Sequence, residues 1–573
     1  MTDPQPTTPD GKAKLLRTLL VVLLAASAAL FFYLTNFRAL YNPDAMKYAQ
    51  MSRDILRGEG CAMEEIHPRM FAFVQDGSRP ERENQIGPVR YFLSQLTVAG
   101  AFAIFGETDK VAAWTTIVLY VLSVLVFYWL AGYLLKPAEA ALATVLFALH
   151  GQVLTYAASG LTEPLFLLLA VTALLLLLRA QENPLYALGA GLTLAAMIFT
   201  KDLAKVFVAL AVLGAPWLIA RRRLLTTALL IAALAAGYVA LDRLERRINH
   251  APRQSQGIGA EYDQQLLAAH APRENAWTTR LIGRFGGGVI LQYSEMFPGH
   301  TLERSLTPVN EARVFEDNKQ VFFAKWKSNA MVTAKNLFTE AVNPLVFLFF
   351  LLFPWLRRDD ETLLRRVHWW TIAAVGAFVF MCLFLFSMAR YLLVLVPLLS
   401  MFAASSAGRL AEKFFGKRAG LRRAALVVFA VLMLYPYALT AGSDALTKIT
   451  DREARQVRQI NAAGVQALGQ FLREQTQRED VLVSDVPWIT LWQGDRTSIW
   501  LPVDMEQLTV LRRRARVDWL LLTFQYPWSM QPWREWLTDF VKSGEPVRDG
   551  FRFATGYRFG AQTFYLFQAV EDP

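Results

Sequence analysis

Long apolar stretches alternate with short polar segments along most of the chain. Runs without a charged residue cover residues 18–36, 111–135, 140–161 and 391–408. Each run is about long enough to cross the roughly 30 Å hydrocarbon layer as a helix. The pattern therefore predicts an α-helical polytopic membrane protein.

The distribution of basic residues sets the number of spans. Counting every apolar run gives twelve spans, and the basic loops then fall on the wrong sides of the membrane. If residues 89–105 form a re-entrant or interfacial segment instead, eleven transmembrane helices remain and the N-terminus is cytoplasmic. The short outer loops then carry only three cations, which are Lys201, Lys205 and Arg390.

The polar segments divide the chain into a transmembrane module, residues 1–440, and an extracytoplasmic tail, residues 441–573. Within the module, residues 37–110 form a first outer loop with membrane-surface helices, and residues 242–335 form a large outer loop. The tail has a helical pattern at residues 451–477, followed by strand-like runs at 481–485, 519–523 and 563–567. Because helix and strand patterns alternate, the tail is predicted to be a small C-terminal α/β domain.

Composition supports a membrane protein, since 54% of the 573 residues are hydrophobic and only 19% are charged, whereas soluble chains carry about 25% charged residues. The net charge of +11 comes from basic residues beside the ends of apolar runs, which indicates orientation in a bilayer and no nucleic-acid partner. A cleavable signal peptide is an alternative for the first apolar run, but the run continues far enough to form an uncleaved anchor. Cys61 and Cys382 lie in different environments and are not expected to form a disulfide.

The first outer loop begins with a predicted surface helix. Asn42 can cap this helix, Pro43 suits its first position, and the helical pattern runs to Gly58. Asp44 lies in the first turn. Apolar and polar residues then occupy opposite faces, as in a helix that lies on the membrane surface: Tyr48, Met51, Ile55 and Leu56 against Lys47, Arg53, Asp54 and Arg57.

Several separated motifs extend along nearly the whole chain: Asp44 with its surface helix, residues 87–91, 161–166, 199–202 and 389–397, and, in the tail, residues 484–488 and 500–502. Together and in this order they resemble the GT-C glycosyltransferases, multi-span enzymes that use polyprenyl-phosphate-linked sugars and include protein O-mannosyltransferases and the lipid A aminoarabinose transferase. Two features differ from the family pattern. Asp44 stands alone where two acids are common, and Lys201 is followed by Asp202 where an Arg-Pro pair is common.

The resemblance implies that an acceptor hydroxyl attacks the anomeric carbon of a lipid-phosphate sugar with inversion. A carboxylate near the membrane can take the hydroxyl proton, and cations can stabilise the leaving phosphate. The expected catalytic residues are Asp44 and Glu163. The expected donor-binding residues are Lys201, Lys205, Arg390, Tyr391, Arg90 and Tyr91.

Each principal assignment has a simpler alternative. Asp44 could only complement the helix dipole. Glu163 could cap the span that follows Thr162. Arg390 could extend to the lipid headgroups, as a single cation at a span end often does.

The function that follows is transfer of a sugar from a polyprenyl-phosphate donor to an envelope acceptor outside the cytoplasm. The chain contains no Asn-x-Ser/Thr acceptor, which favours a bacterial inner membrane and periplasm. The histidines lack zinc-ligand spacing, but the sequence leaves open a loosely held divalent ion near Asp44 and Glu163. One alternative is a polysaccharide polymerase or ligase that uses lipid-diphosphate glycans, and a second is a transporter, which would place ionisable residues near the bilayer midplane.

Overall fold

The computed structural model describes residues 11–249, 304–306, 319–450 and 452–570, with short gaps at residues 73, 80, 82–84, 86, 89–91, 220–221, 357–360, 385–386, 417, 525–529 and 560–561. Most of the predicted large outer loop, residues 242–335, lies outside the described residues.

The N-terminal part of the chain is helical. Its helices are α1 (Gly11–Asn36), α2 (Pro43–Arg57), α3 (Leu93–Phe105), α4 (Asp109–Leu134), α5 (Pro137–Ala148), α6 (Gly151–Ala157), α7 (Glu163–Arg179), α8 (Tyr186–Ile198), α9 (Ala204–Leu218), α10 (Arg223–Ile248), α11 (Lys319–Lys335), α12 (Pro344–Leu356), α13 (Thr362–Phe384), α14 (Ala389–Leu392), α15 (Val396–Phe415) and α16 (Ala419–Thr450). A π-helical turn, Asn336–Ala341, follows α11.

The described residues contain six helices that are long and apolar enough to cross a membrane, or eight spans if each of two bent pairs counts as one. The bent pairs are α5 with α6, at 58°, and residues 322–340 with α12, at 92°. Three further apolar helices, α7, α8 and α9, are shorter, and counting each of them as a span gives the predicted eleven. The number eleven stays a prediction.

Helix α3 corresponds to the segment that was predicted not to cross the membrane. Its 13 residues span about 20 Å as a helix, which is less than the hydrocarbon thickness. It packs along α2, and the Phe102 ring stacks on Trp492 with centroids 5.9 Å apart. Its packing along α2 and against Trp492 supports a position beside the bundle.

Helices α8 and α10 pack closely because glycines face the contact. A Cβ at Gly191 would approach the Leu230 carbonyl oxygen to 2.5 Å, and a Cβ at Gly237 would approach Ala195 Cβ to 2.9 Å. Small residues at such contacts let helix backbones approach each other. This contact fixes α8, which ends just before Lys201.

The C-terminal part forms the predicted α/β domain. It contains α17 (Arg452–Gln475), α18 (Pro487–Trp492), α19 (Met505–Arg514) and α20 (Gln531–Ser543). Its strands are β4 (Val481–Ser484), β5 (Thr497–Trp500), β6 (Trp519–Leu522), β7 (Phe551–Phe559) and β8 (Gln562–Ala569). The predicted helix and all three predicted strands are confirmed within a few residues.

The six-stranded sheet also includes a strand from the first outer loop. That loop supplies β1 (Ala62–Met63), β2 (Glu65–Ile66) and β3 (Gly87–Pro88), and the sheet order is β2-β5-β4-β6-β8-β7. Strands β2, β5, β4 and β6 run parallel to one another. Strand β8 is antiparallel to its neighbour β6, and β7 is antiparallel to β8. The domain boundary at residues 440–441 stays a prediction, because α16 continues through it to Thr450.

The α/β domain is joined to α2 through α18. The Arg53 side chain donates to the carbonyl oxygens of Leu491 at 2.8 Å and Trp492 at 3.0 Å. The Trp492 indole donates to Asp109 Oδ1 at the start of α4 at 2.5 Å. Arg53 and Asp54 therefore lie buried at 6% and 2% exposure, although they belong to the polar side of α2. The domain covers part of the face that would otherwise contact water.

Candidate active site

The first turn of α2 holds Asp44 in a fixed position. Asn42 is extended, with φ −76° and ψ 127°, and its side-chain oxygen accepts from the Asp44 backbone N–H at 2.9 Å. Pro43 occupies the first helical position, where its missing N–H costs nothing. The Asp44 carboxylate consequently lies at the N-terminal end of α2, where the helix dipole is positive.

Two carboxylates and two cations from four separate elements meet beside this turn. Arg390 Nη1 of α14 lies 2.8 Å from Asp44 Oδ2. Lys201 Nζ, after α8, lies 2.5 Å from Glu163 Oε1 in the first turn of α7. Arg390 Nε lies 4.0 Å from the same Glu163 oxygen and joins the two pairs. We call Asp44, Glu163, Lys201 and Arg390 the carboxylate–cation cluster.

The four side chains of the cluster differ in solvent exposure. The exposed fraction of the side chain rises from 2% for Glu163 to 15% for Lys201, 16% for Arg390 and 32% for Asp44. Glu163 Oε2 and Arg390 Nε are buried and have no hydrogen-bond partner within the described part of the chain. Buried polar atoms are normally paired. The cluster thus retains one acceptor and one donor for a bound group.

Three tyrosines surround these charges. The Tyr391 ring centroid lies 5.3 Å from Lys201 Nζ and 5.5 Å from Arg390 Cζ, which is within cation–π distance. Tyr48 lies one turn after Asp44, and burial together with the Asp44 and Glu163 charges raises the pKa of Tyr48. Its hydroxyl stays protonated at neutral pH and can donate a hydrogen bond. Tyr156 of α6 also lies within electrostatic range of Glu163 and Arg390.

Sequence reasoning missed Tyr48 and Tyr156 as site residues. Tyr48 could have been found, because it is four residues after Asp44 and shares its helix face. Tyr156 gave no such signal. It belongs to α6, which is bent by 58° relative to α5.

The contacts of Glu163, Arg390 and Asp44 can be compared with the simpler roles that the sequence left open for them. Thr162 makes no side-chain capping hydrogen bond at the start of α7, and Glu163 pairs with Lys201. Arg390 is mostly buried and paired with Asp44, so its guanidinium does not extend to the surface. Asp44 both complements the helix dipole and binds Arg390.

The remaining candidates are not part of the cluster. Lys205 pairs with Asp202 at 2.6 Å, and both side chains are more than half exposed. Arg90 and Tyr91 lie outside the described residues. Nowhere in the described ranges do three or more His, Cys, Asp or Glu side chains form a group that could hold a metal ion.

Comparison with known proteins identifies the fold. A family model described as dolichyl-phosphate-mannose-protein mannosyltransferase matches residues 89–241. Two solved structures of an oligosaccharyltransferase from Archaeoglobus fulgidus each cover 96% of this chain, and the chain covers 74% of theirs, with 12% identity and TM-scores of 0.55 and 0.53. These similarities show that the chain shares the fold of these membrane-protein structures.

Two other comparisons complete the picture. The structure of ArnT from Cupriavidus metallidurans bound to undecaprenyl phosphate is also similar, with 13% identity and a TM-score of 0.48. The match covers 97% of this chain and 99% of the ArnT chain. No curated protein matches the sequence. The family-model match includes Glu163 and Lys201 but neither Asp44 nor Arg390.

Proposed function

We propose that this protein is a GT-C glycosyltransferase, which transfers a sugar from a polyprenyl-phosphate donor to an acceptor hydroxyl in the cell envelope with inversion at the anomeric carbon. The observation that carries the proposal is the carboxylate–cation cluster, in which the partly exposed Asp44 carboxylate lies beside two cations. The family model that matches residues 89–241 describes an enzyme class that uses a lipid-phosphate sugar. One of the similar oligosaccharyltransferase structures contains dolichol-phosphate.

In the proposed reaction, Asp44 is the general base. It takes the proton of the acceptor hydroxyl as the hydroxyl oxygen bonds to the anomeric carbon. The bond between that carbon and the phosphate oxygen breaks, and its electron pair leaves with the lipid phosphate. The charge balance needs cations at the phosphate and no proton donor.

Arg390 and Lys201 are the proposed phosphate ligands. Arg390 holds Asp44 through Nη1, and its Nε makes no hydrogen bond within the described residues, so the planar guanidinium can bind a phosphate without releasing the base. Glu163 anchors Lys201, and Tyr391 lies against both cations. We place this chemistry on the outer side of the inner membrane, in agreement with the predicted topology.

The proposal is tested with purified full-length protein in detergent, radiolabelled polyprenyl-monophosphate sugars and membrane acceptors. We expect the native protein to transfer label. The transfer rate of Asp44→Asn should be at least about 1,000-fold lower, because the general base is removed. Asp202→Asn is the matched control, since Asp202 is exposed and pairs only with Lys205 among the candidate site residues. Full activity of Asp44→Asn, or no transfer from any monophosphate donor, would contradict the proposal. Transfer only from diphosphate donors would favour the polymerase or ligase alternative.

A further inference from the structure

The end of the sheet next to α2 presents an aromatic pair that the proposed reaction does not use. Strands β2 and β5 are parallel, with Glu65 opposite Ser498 and Ile66 opposite Ile499. The next residues, His67 and Trp500, therefore lie side by side at the carboxyl edge of the sheet. Their rings are stacked, with centroids 6.0 Å apart and planes at 16°. Both residues are partly exposed.

A buried carboxylate lies beneath this aromatic pair. Glu65 is 0% exposed, and its Oε1 accepts from the Trp500 indole and from Lys47 Nζ, the latter at 2.8 Å. Glu65 Oε2 has no partner among the described residues. An ionised carboxylate is costly to bury unless it is paired, and its second oxygen still needs a donor. The arrangement leaves an acceptor position beside two partly exposed groups.

Lys47 connects this end of the sheet to the carboxylate–cation cluster. It lies three residues after Asp44 on α2, so the two side chains leave the same side of the helix with Cβ atoms about 5–6 Å apart. Lys47 therefore connects the helix turn that holds the proposed base to Glu65, which lies beneath the aromatic pair. A molecule whose hydroxyl reaches Asp44 could contact this pair.

We propose that Lys47, Glu65, His67 and Trp500 form a subsite that binds a sugar unit of the acceptor. The inference rests on the proposed glycosyl transfer. The aromatic rings offer flat apolar surfaces to the C–H face of a pyranose. The Glu65 carboxylate and the Lys47 ammonium offer an acceptor and donors to its hydroxyl groups. A carbohydrate presents both chemical surfaces in one ligand.

Direct binding tests the subsite without requiring turnover. Full-length protein in detergent, without any donor lipid, is applied to immobilised neutral, acidic and amino-containing oligosaccharides. We expect the native protein to bind at least one of these classes, and we expect Trp500→Leu and Glu65→Gln to weaken that binding about tenfold or more. Phe553→Ala is the matched control, because Phe553 is an exposed aromatic on β7, at the opposite edge of the same sheet.

A second variant separates lost binding from misfolding. His67 follows the edge strand β2 and is partly exposed, so His67→Ala removes one stacking ring without opening the buried core. It should weaken oligosaccharide binding several-fold while the thermal unfolding temperature stays near that of Phe553→Ala. Binding that is unchanged in both His67→Ala and Trp500→Leu, or no oligosaccharide binding by the native protein, would overturn the subsite.

Kinetics distinguish failure of the subsite from failure of the proposed function. If the protein transfers sugar, Trp500→Leu should raise the KM for the acceptor about tenfold while the KM for the donor stays unchanged. If Trp500→Leu instead lowers kcat about tenfold and changes neither KM, the subsite would be overturned and the transferase function would remain intact. Oligosaccharide binding that depends on Trp500, in a protein without transfer activity, would reject the function and retain the subsite.

Discussion

At the scale of single residues, Arg390 connects the two halves of the cluster. Its guanidinium donates to Asp44 through one nitrogen and approaches Glu163 through another. An arginine can do this because its donors form a rigid planar fork, whereas a lysine offers one compact charge. The identity of this cation should therefore matter beyond its charge.

Replacement of Arg390 by lysine should lower kcat/KM for sugar transfer about 100-fold, because a single ammonium cannot hold Asp44 and bind the phosphate together. The measurement is transfer from a polyprenyl-phosphate sugar by purified protein. Arg246→Lys serves as the control, since Arg246 forms an exposed pair with Asp242 one turn away on α10. Equal activity of Arg390→Lys and Arg246→Lys would argue against phosphate binding by Arg390.

At the scale of elements, the start of α2 controls where the proposed base lies. The Asn42 cap satisfies the Asp44 N–H, and Gly58 ends the helix in the left-handed region at φ 76°. Glycine adopts this conformation without a Cβ clash. A frayed first turn would move the Asp44 carboxylate away from Arg390.

Replacement of Asn42 by alanine should destabilise the protein by about 1 kcal/mol, the usual cost of a lost cap, and should lower kcat about tenfold, because catalysis is sensitive to small displacements of the base. Asn42→Ser retains a capping oxygen and should remain near native in both respects. The measurements are thermal unfolding and sugar transfer.

The control for this prediction is another helix cap far from the cluster. Asp504 caps α19 by accepting from the Gln507 N–H at 2.9 Å. Asp504→Ala should lower the unfolding temperature by a similar amount without changing kcat. A similar loss of kcat in both alanine variants would show that stability, and not the position of Asp44, sets the rate.

At the scale of the whole molecule, the α/β domain and the first outer loop fold as one unit. Strand β2 completes the sheet, α18 packs against α2, and Arg304 donates to the Leu501 and Pro502 carbonyl oxygens at 2.6 Å and 2.9 Å. Burial lowers the pKa of Arg304 to about 10, so it remains charged at neutral pH. The domain thus holds segments from both predicted outer loops.

The charged contact around Asp495 should make this attachment sensitive to acid. Burial by itself raises the pKa of Asp495, but Arg53, Arg57 and Arg478 outweigh it and hold the pKa below its ordinary value. A carboxyl with a lowered folded-state pKa contributes stability above its unfolded pKa of about 4 and loses it as the pH falls further. Asp495→Asn should therefore unfold at a lower temperature than native protein at pH 7.

The difference in unfolding temperature between the native protein and Asp495→Asn should shrink as the pH falls below about 4. Comparison of the two proteins at each pH removes the contribution of the other acidic groups. A difference that stays constant from pH 7 to pH 3 would show that the Asp495 charge does not hold the domain.

The predicted topology has its own test. The two native cysteines are free and buried, so an added cysteine can be labelled selectively. Cysteine at Glu107, between α3 and α4, should react with a membrane-impermeant maleimide applied to intact spheroplasts, whereas cysteine at Lys413, near the end of α15, should react only after lysis. The reverse pattern, or labelling of both from outside, would reject the assignment of residues 37–110 to one outer loop.

Much of the fold follows from local patterns. Apolar runs of about twenty residues require lipid or a buried bundle, and the cap at Asn42 and the strand patterns of the tail are short-range signals. The sequence also selected Asp44, Glu163, Lys201 and Arg390 as candidate site residues, through their positions at span ends and the family resemblance. The alternation of basic loops likewise indicated that residues 89–105 do not cross the membrane.

Only the tertiary structure decided which of these residues meet. Asp44 and Arg390 are 346 residues apart in sequence, and no local pattern specifies that α2 and α14 touch. The same holds for β2, a two-residue strand that is too short to carry a period-two signal and pairs with β5 across more than 400 residues. Propensity and periodicity act over a few residues, whereas the charge pairing and the shared sheet depend on how the whole bundle packs.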